Sequence, residues 1–346
     1  MSIINITVHT ATLVRILSLG FLSFFLSMLI TPLYTTAAYK GQWWKKPREK
    51  TVTGAPTTII TKLHGEKHKR LIPTMAGIVF VAAVGIVTVL FNLNRTETWL
   101  PIAAFAGAGF VGLIDDIINV RGTGAGVAGL PSKLKLLLIS GIATLGGWFF
   151  YAKLDVSSIH IPLSGNFHVG WLIIPIFVFV VVATANAVNI TDGLDGLAGG
   201  LCAIAFACYA IIAFLEGRYG IAGFCMSVVG GLLSYTWFNL FPARFFMGDV
   251  GSFALGTALG VVAMLTNTMF LLPIIGLVFV AETGSVILQI GSKKLRHGKK
   301  IFKVSPLHYL FQLNGWPETK VTERFWIIGQ VAGVVGLILF VLGRWI

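Results

Sequence analysis

The chain is short of charge, and shortest of acid. Its 346 residues hold 26 Lys and Arg but 13 Asp and Glu, and only 11% are charged. Soluble domains carry roughly 25% charged residues. With 56% hydrophobic residues there is too little polar surface to face water all round, which excludes an ordinary soluble enzyme. Cysteine is scarce as well. Cys202, Cys208 and Cys225 lie inside apolar runs without metal-ligand spacing, so a zinc site or disulfide framework is excluded and they read as small packing residues. There is no Walker A loop, no kinase signature, no internal repeat and no low-complexity tract. One domain over residues 1–346 is expected. The net charge of +13 lies in loops between apolar runs, which argues for membrane topology and against a nucleic-acid partner.

What the chain does have is long apolar runs. A helix needs about 20 apolar residues to cross the hydrocarbon core. Such runs fall at 12–34, 73–91, 99–118, 134–152, 171–189, 196–215, 219–238, 251–266, 271–291 and 325–345. The fold expected is therefore an all-α integral membrane protein with about ten transmembrane helices. The first run lacks a basic segment before Arg15 and is long for a signal peptide, so it reads as a retained span. Ten spans put both termini on one side. The loops and flanks of the opposite side hold 21 of the 26 Lys and Arg; Arg15, Arg95, Lys153, Arg218 and Arg344 are the exceptions. The positive-inside rule then places both termini outside. Residues 156–169 read as a small external hairpin turning at Ser164-Gly165-Asn166, and 305–316 as an interfacial cytoplasmic segment.

Five of the six aspartates, Asp115, Asp116, Asp192, Asp195 and Asp249, fall at cytoplasmic ends of these spans. Burying an aspartate at the bilayer centre costs about 2.5–3.5 kcal/mol on insertion scales. The cost is smaller at the edge, but three clusters on one face still call for a role. Asp115-Asp116 is an adjacent like-charged pair that a divalent cation or a lysine would relieve. Asn186, Asn189, Asp192 and Asp195 recur every three residues, so a helix would stack them on one face, beside glycines that admit a ligand. Asp249, among Gly248, Gly251 and Ser252, starts a helix and also reads as its cap. Asn239, Arg244 and Phe246 nearby suit a nucleotide. Lys69, Arg70 and Thr74 precede the second span, Lys133 and Lys135 the fourth, and His308 lies in the interfacial segment. Much of the other positive charge, Lys45 and Lys300 among it, simply sets topology. Glu282 and Gln289, seven apart inside the ninth span, form a buried polar pair that lines a cavity or binds a neighbouring helix. Hard oxygen ligands without a Cys/His cluster suggest Mg²⁺, and carboxylates, Mg²⁺ and lysines together suggest phosphoryl transfer at a membrane edge.

The segments KRLIPTMAG, GLIDDIIN, GLPSKLKL, NAVNITDGLDGLAGG, FNLFPARFFMGDVGS, AETGSVILQ and SPLHYLFQLNGWPE occur in order between Lys67 and Trp326. In these the chain resembles the polyprenyl-phosphate N-acetylhexosamine-1-phosphate transferases, and among them the phospho-N-acetylmuramoyl-pentapeptide transferases. The resemblance implies transfer of phospho-N-acetylmuramoyl-pentapeptide from UDP to undecaprenyl phosphate, giving lipid I and UMP, with Mg²⁺ as cofactor. It implies a multi-pass protein of the bacterial cytoplasmic membrane, an active site on the cytoplasmic side, and a homodimer. Carried over by resemblance, Asp115, Asp116, Asp249 and His308 are catalytic, and Asp249, with Asp115 and Asp116, holds the metal. Lys69, Thr74, Lys133, Asn186, Asn189, Asp192, Gly193, Asp195, Asn239, Phe246 and Ser252 surround the substrates, with Phe246 near uracil. Two mechanisms stay open, direct attack by the lipid phosphate and a covalent phosphosugar-aspartate; direct attack is favoured because phosphate is already anionic. A sister enzyme moving N-acetylglucosamine-1-phosphate, a transporter and an inactive scaffold are the competing readings. The chain departs from the family at Tyr309 and Leu310, where histidines are usual, at Gln312 for Glu, at Asn119 for Lys and at Ala76 for Gly. Residues 41–66 are unusual and carry none of the matching segments.

Overall fold

The computed structural model describes residues 3–44, 71–122, 129–162 and 164–343, with side chains from residue 10. Lys69 lies outside the described residues. The long helices are α1 (Ile3–Lys40), α2 (Gly77–Phe91), α3 (Trp99–Arg121), α4 (Ser132–Ala152), α5 (Ile173–Thr191), α6 (Leu197–Leu215), α7 (Tyr219–Asn239) and α8 (Gly248–Leu265). A single turn, α9 (Leu272–Ile275), leads into α10 (Leu277–Leu295), the short α11 (Leu307–Leu313) and α12 (Glu318–Gly343). Each apolar run read from the sequence coincides with one long helix, except 271–291, which divides at Gly276 into α9 and α10, and the protein is an all-α integral membrane protein. Eight of these helices are long and apolar enough to cross a membrane. The other two are α2 and α10. At about 1.5 Å per residue the 15 residues of α2 reach about 22 Å, and α10 carries Glu282, Gln289, Lys293 and Lys294.

α8 is the central post. Every residue of it except Asp249 is buried, as expected of a helix apolar all round. α2, α3, α5 and α6 pack on it. Small residues let these backbones meet, because packing rather than water exclusion drives association in lipid. A Cβ at Gly256 would stand 2.6 Å from the Ala185 Cα, and one at Gly112 would collide with the Asp249 carbonyl. The second contact brings the end of α3 onto the start of α8.

The hairpin is present, with β1 (Ser158–Ile161) antiparallel to β2 (Gly165–His168). Its turn is displaced from the expected position. Gly165 pairs with Ile161 and Asn166 with His160, so the chain reverses before Gly165. The positive φ of Gly165, 93°, serves the first paired position of β2.

Candidate active site

Three carboxylates converge where α3 ends and α8 begins. Asp115 and Asp116 are fully buried on α3, and Asp249 occupies the first turn of α8. One oxygen from each lies within 4.8 Å of the others. The two neighbours on α3 have separate tasks. Asp116 Oδ2 accepts a hydrogen bond from Val250 N at 3.1 Å. That N–H belongs to the first turn of α8, which has no side-chain cap of its own, so Asp116 serves as the cap from another helix. Asp115 turns to side chains and a loop. Its Oδ1 accepts from Leu130 N at 2.6 Å and its Oδ2 from Asn119 Nδ2 at 2.8 Å.

Lys135 on α4 sits between the two helices. Its ammonium is 3.3 Å from Asp115 Oδ2 and 3.0 Å from Asp249 Oδ2. Asn189 on α5 closes the opposite side, donating from Nδ2 to Asp249 Oδ1 at 3.3 Å and to Ser252 Oγ at 2.8 Å. A small cavity of about 120 Å³ opens beside them, lined by Lys135, Asn186, Asn189 and Phe253 among others. Lys133 is exposed and makes no contact with the cluster. Residues two apart on a helix face different ways, and only Lys135 can point inward when α4 packs on α3. Sequence reading named Lys135 only as a flank of the fourth span; its spacing from Ile139, which is buried, was the available signal. Asn119, noted only as a departure from the family, is four residues after Asp115 and therefore on its face.

The expected stack of Asn186, Asn189, Asp192 and Asp195 breaks after its second member. α5 ends at Thr191, and Asp192 caps it in a non-helical conformation. Asn186 donates to Val182 O within the helix. Asp195 is buried and holds the turn in place: its carboxylate accepts from Ala243 N at 3.0 Å, its own N–H donates to Glu318 Oε1 at 2.6 Å, and its carbonyl accepts from Thr322 Oγ1 at 3.1 Å. Asn239 does the same, accepting from Gly196 N and donating to Phe245 O. Together they knit the turn after α5 to the turn after α7 and to α12. Phe246 belongs to that second turn. Its N–H donates to Pro73 O and its carbonyl accepts from Ala76 N, which seats Thr74 beside it. Thr74 Oγ1 is buried with no hydrogen-bond partner among the described residues.

His308 forms a second buried unit. Its Nδ1 lies 3.0 Å from Glu282 Oε2, and its backbone N donates to Glu282 Oε1 at 3.1 Å. Glu282 and Gln289 therefore do not pair with each other. Gln289 instead binds the backbone of Ile301 and Phe302. Both residues of α10 anchor the chain that returns from it. With Nδ1 turned to the carboxylate, Nε2 is buried and has no hydrogen-bond partner among the described residues. It faces Gly193, where any Cβ would collide with it. Tyr309 packs edge-on against the imidazole, with ring centroids 4.1 Å apart. Burial, and then the carboxylates of Glu318, Asp192 and Glu282, push the Tyr309 phenol well above its usual range. It stays a neutral hydroxyl where the family has a histidine.

Residues 98–267, from the start of α3 to the end of α8, match the family described as Glycosyl transferase family 4. That stretch contains all three clustered aspartates, Lys135 and Asn189. A phospho-N-acetylmuramoyl-pentapeptide-transferase of Geobacillus sp. is 40% identical over 324 residues, 91% of this chain and 95% of the relative. The enzyme of that name from Staphylococcus carnosus is 42% identical over 77% of this chain and 84% of its own length. That from Thermodesulfovibrio yellowstonii is 40% identical over 77% and 79%. With three aspartates and a lysine gathered inside the matched stretch and relatives of this identity along most of its length, the chain belongs to the phospho-N-acetylmuramoyl-pentapeptide-transferase family.

Proposed function

We propose that the chain transfers phospho-N-acetylmuramoyl-pentapeptide from its UDP carrier to undecaprenyl phosphate, forming lipid I and releasing UMP. The observation that carries this reading is the meeting of Asp115, Asp116 and Asp249 around Lys135 at one end of the bundle. An oxygen of the lipid phosphate attacks the sugar-bearing phosphorus. A new P–O–P linkage forms, and the P–O bond to UMP breaks with both its electrons going to UMP. Lys135 is placed to hold a phosphate oxygen in line. Asp115 already has both oxygens engaged by donors, which makes it a poor nucleophile and supports direct attack over a covalent phosphosugar-enzyme.

The three carboxylates also fit Mg²⁺, which prefers hard oxygen ligands. Asp249, with Asp115 and Asp116, would hold it, and it would neutralise charge gathering on the diphosphate. Asp195 and Asn239 keep the donor-side turns in register. His308, positioned by Glu282, presents its free Nε2 towards the Gly193 turn.

The acceptor's hydrocarbon tail has a matching surface. An apolar groove of about 710 Å³ runs between α5 and α10, lined by Phe179, Val180, Ala183, Phe279, Val280 and Ile287 among others. Ala187 also lines it, between Asn186 and Asn189 on the same helix, so a prenyl chain in the groove delivers its phosphate near Lys135. In this reading α2 and α10 complete ten spans, both termini face outward, and the site opens to the bacterial cytoplasm beneath the inner membrane, as the loop charges favour.

The test is turnover by the purified chain. Undecaprenyl phosphate and UDP-N-acetylmuramoyl-pentapeptide are expected to yield UMP and lipid I only when Mg²⁺ is present. UMP release from UDP-N-acetylglucosamine instead would replace this reading with the sister transferase. Trapping a phosphosugar adduct without lipid acceptor would overturn direct attack.

A further inference from the structure

At the other end of the bundle lies a second enclosed polar site. α8 runs 18 residues from Asp249's turn to its C-terminus, about 27 Å at 1.5 Å per residue, close to the thickness of a bilayer core. There four elements surround a cavity of about 220 Å³. The hairpin contributes His160 and Asn166, the turn after α6 Glu216 and Arg218, the turn after α8 Thr266 to Thr268, and α12 Leu339 and Phe340. The walls are held in place. Asn267, at φ 50°, accepts from His160 N at 2.8 Å and so docks the hairpin. His160 Nδ1 lies 3.0 Å from Asn166 Oδ1. Gly217, at φ 74°, turns the chain so that Arg218 Nε comes 3.4 Å from Glu216 Oε2. The Glu216 side chain is 14% exposed, that of Arg218 44%.

The chemistry of this cavity is that of an amphiphile's head. It is smaller than the roughly 300–1,000 Å³ of sites for drug-sized ligands. It offers one cation and one anion side by side, with acceptor oxygens on Asn166 and the threonines. One wall is apolar, formed by Leu271, Leu339 and Phe340, and α12 also carries Ile338 and Leu342, each 52% exposed. An isolated anion would meet Glu216, and an isolated cation would meet Arg218. A zwitterion can engage both members of that pair at once. We propose that this cavity binds the phosphoethanolamine headgroup of a membrane phospholipid, Arg218 taking the phosphate and Glu216 with Asn166 the ammonium, while its acyl chains lie along α12. The ammonium's N–H groups matter, because a carboxylate and an amide oxygen need donors and a choline has none. The bound lipid ties the hairpin, α6, α8 and α12 together at the end of the bundle remote from the aspartates.

The experiment uses the full chain purified in detergent, with native mass spectrometry and thermal melting in the presence of dioleoyl phosphatidylethanolamine, phosphatidylcholine or phosphatidylglycerol. The ethanolamine lipid is expected to be retained about tenfold better than either of the others, the loss of one charge-assisted contact, and to raise Tm. Arg218→Ala and Glu216→Gln are each expected to reduce that retention about tenfold. Equal retention of the three headgroups, or phosphatidylglycerol matching phosphatidylethanolamine, overturns the proposal, as does retention unchanged in both variants. Where a variant does not elute as a single species, the headgroup comparison on the unsubstituted chain decides. UMP release measured alongside keeps this result separate from the transferase reading, since neither residue belongs to the aspartate cluster.

Discussion

Two groups of polar residues sit at the same end of the bundle and use the same chemistry differently. Asp115 and Asp249 bind a lysine and amide side chains, with one backbone N–H, that of Leu130, on Asp115, and hold one another close. Asp195 and Asn239 bind backbone N–H and C=O groups from two turns, the one after α5 and the one after α7. A carboxylate that faces a lysine can give that cation up to a diphosphate. One that satisfies buried amides cannot, because each amide left bare costs about 1–3 kcal/mol. The first group is therefore available for chemistry, and the second fixes the walls.

Substitutions on either side should separate along that line. Asp249→Asn is expected to cut UMP release by about a thousandfold, the upper range for loss of one electrostatic contact to a transition state, while Tm changes little. A proportionate fall in Tm would merge the two groups. Lys135→Ala should reduce turnover by about a hundredfold, and Lys133→Ala should leave it within about twofold, since an exposed residue away from the site contributes within about 0.5 kcal/mol; equal effects from both lysines would undo the distinction drawn between them. Glu282→Gln keeps the shape but removes the charge beside His308 Nδ1. About a tenfold loss in kcat is expected, within the range for a positioned acid–base group, with the pH–rate profile altered; an unchanged profile would make Glu282 a purely structural anchor. Smallest in rate and largest in stability is Asn239→Ala. It strips partners from Gly196 N and Phe245 O, at about 1–3 kcal/mol each, read as a lowered Tm with kcat nearly retained in the folded fraction.

The aspartates, the span-like runs and the hairpin were legible because each leaves a local pattern of charge or periodicity. What was not legible depended on where helices stop and which side they turn. The three-residue spacing from Asn186 to Asp195 suggested one face, yet the helix ends at Thr191 with Asp192 as its cap, and Gly196, at φ 76°, opens the next helix. Lys133 and Lys135 are equivalent in composition and are told apart only by the packing of α4. Glu282 and Gln289, seven apart, looked like mutual partners; two turns separate them, and each reached the returning chain instead. The division of labour between Asp115 and Asp116 required knowing that α8 starts beside α3.

The burial of α8 on all sides has a mechanical side. A rod gripped by neighbours at crystalline density has no free direction in which to slide or tilt without repacking several of them at once. The carboxylate at its tip is thus a stationary reference point.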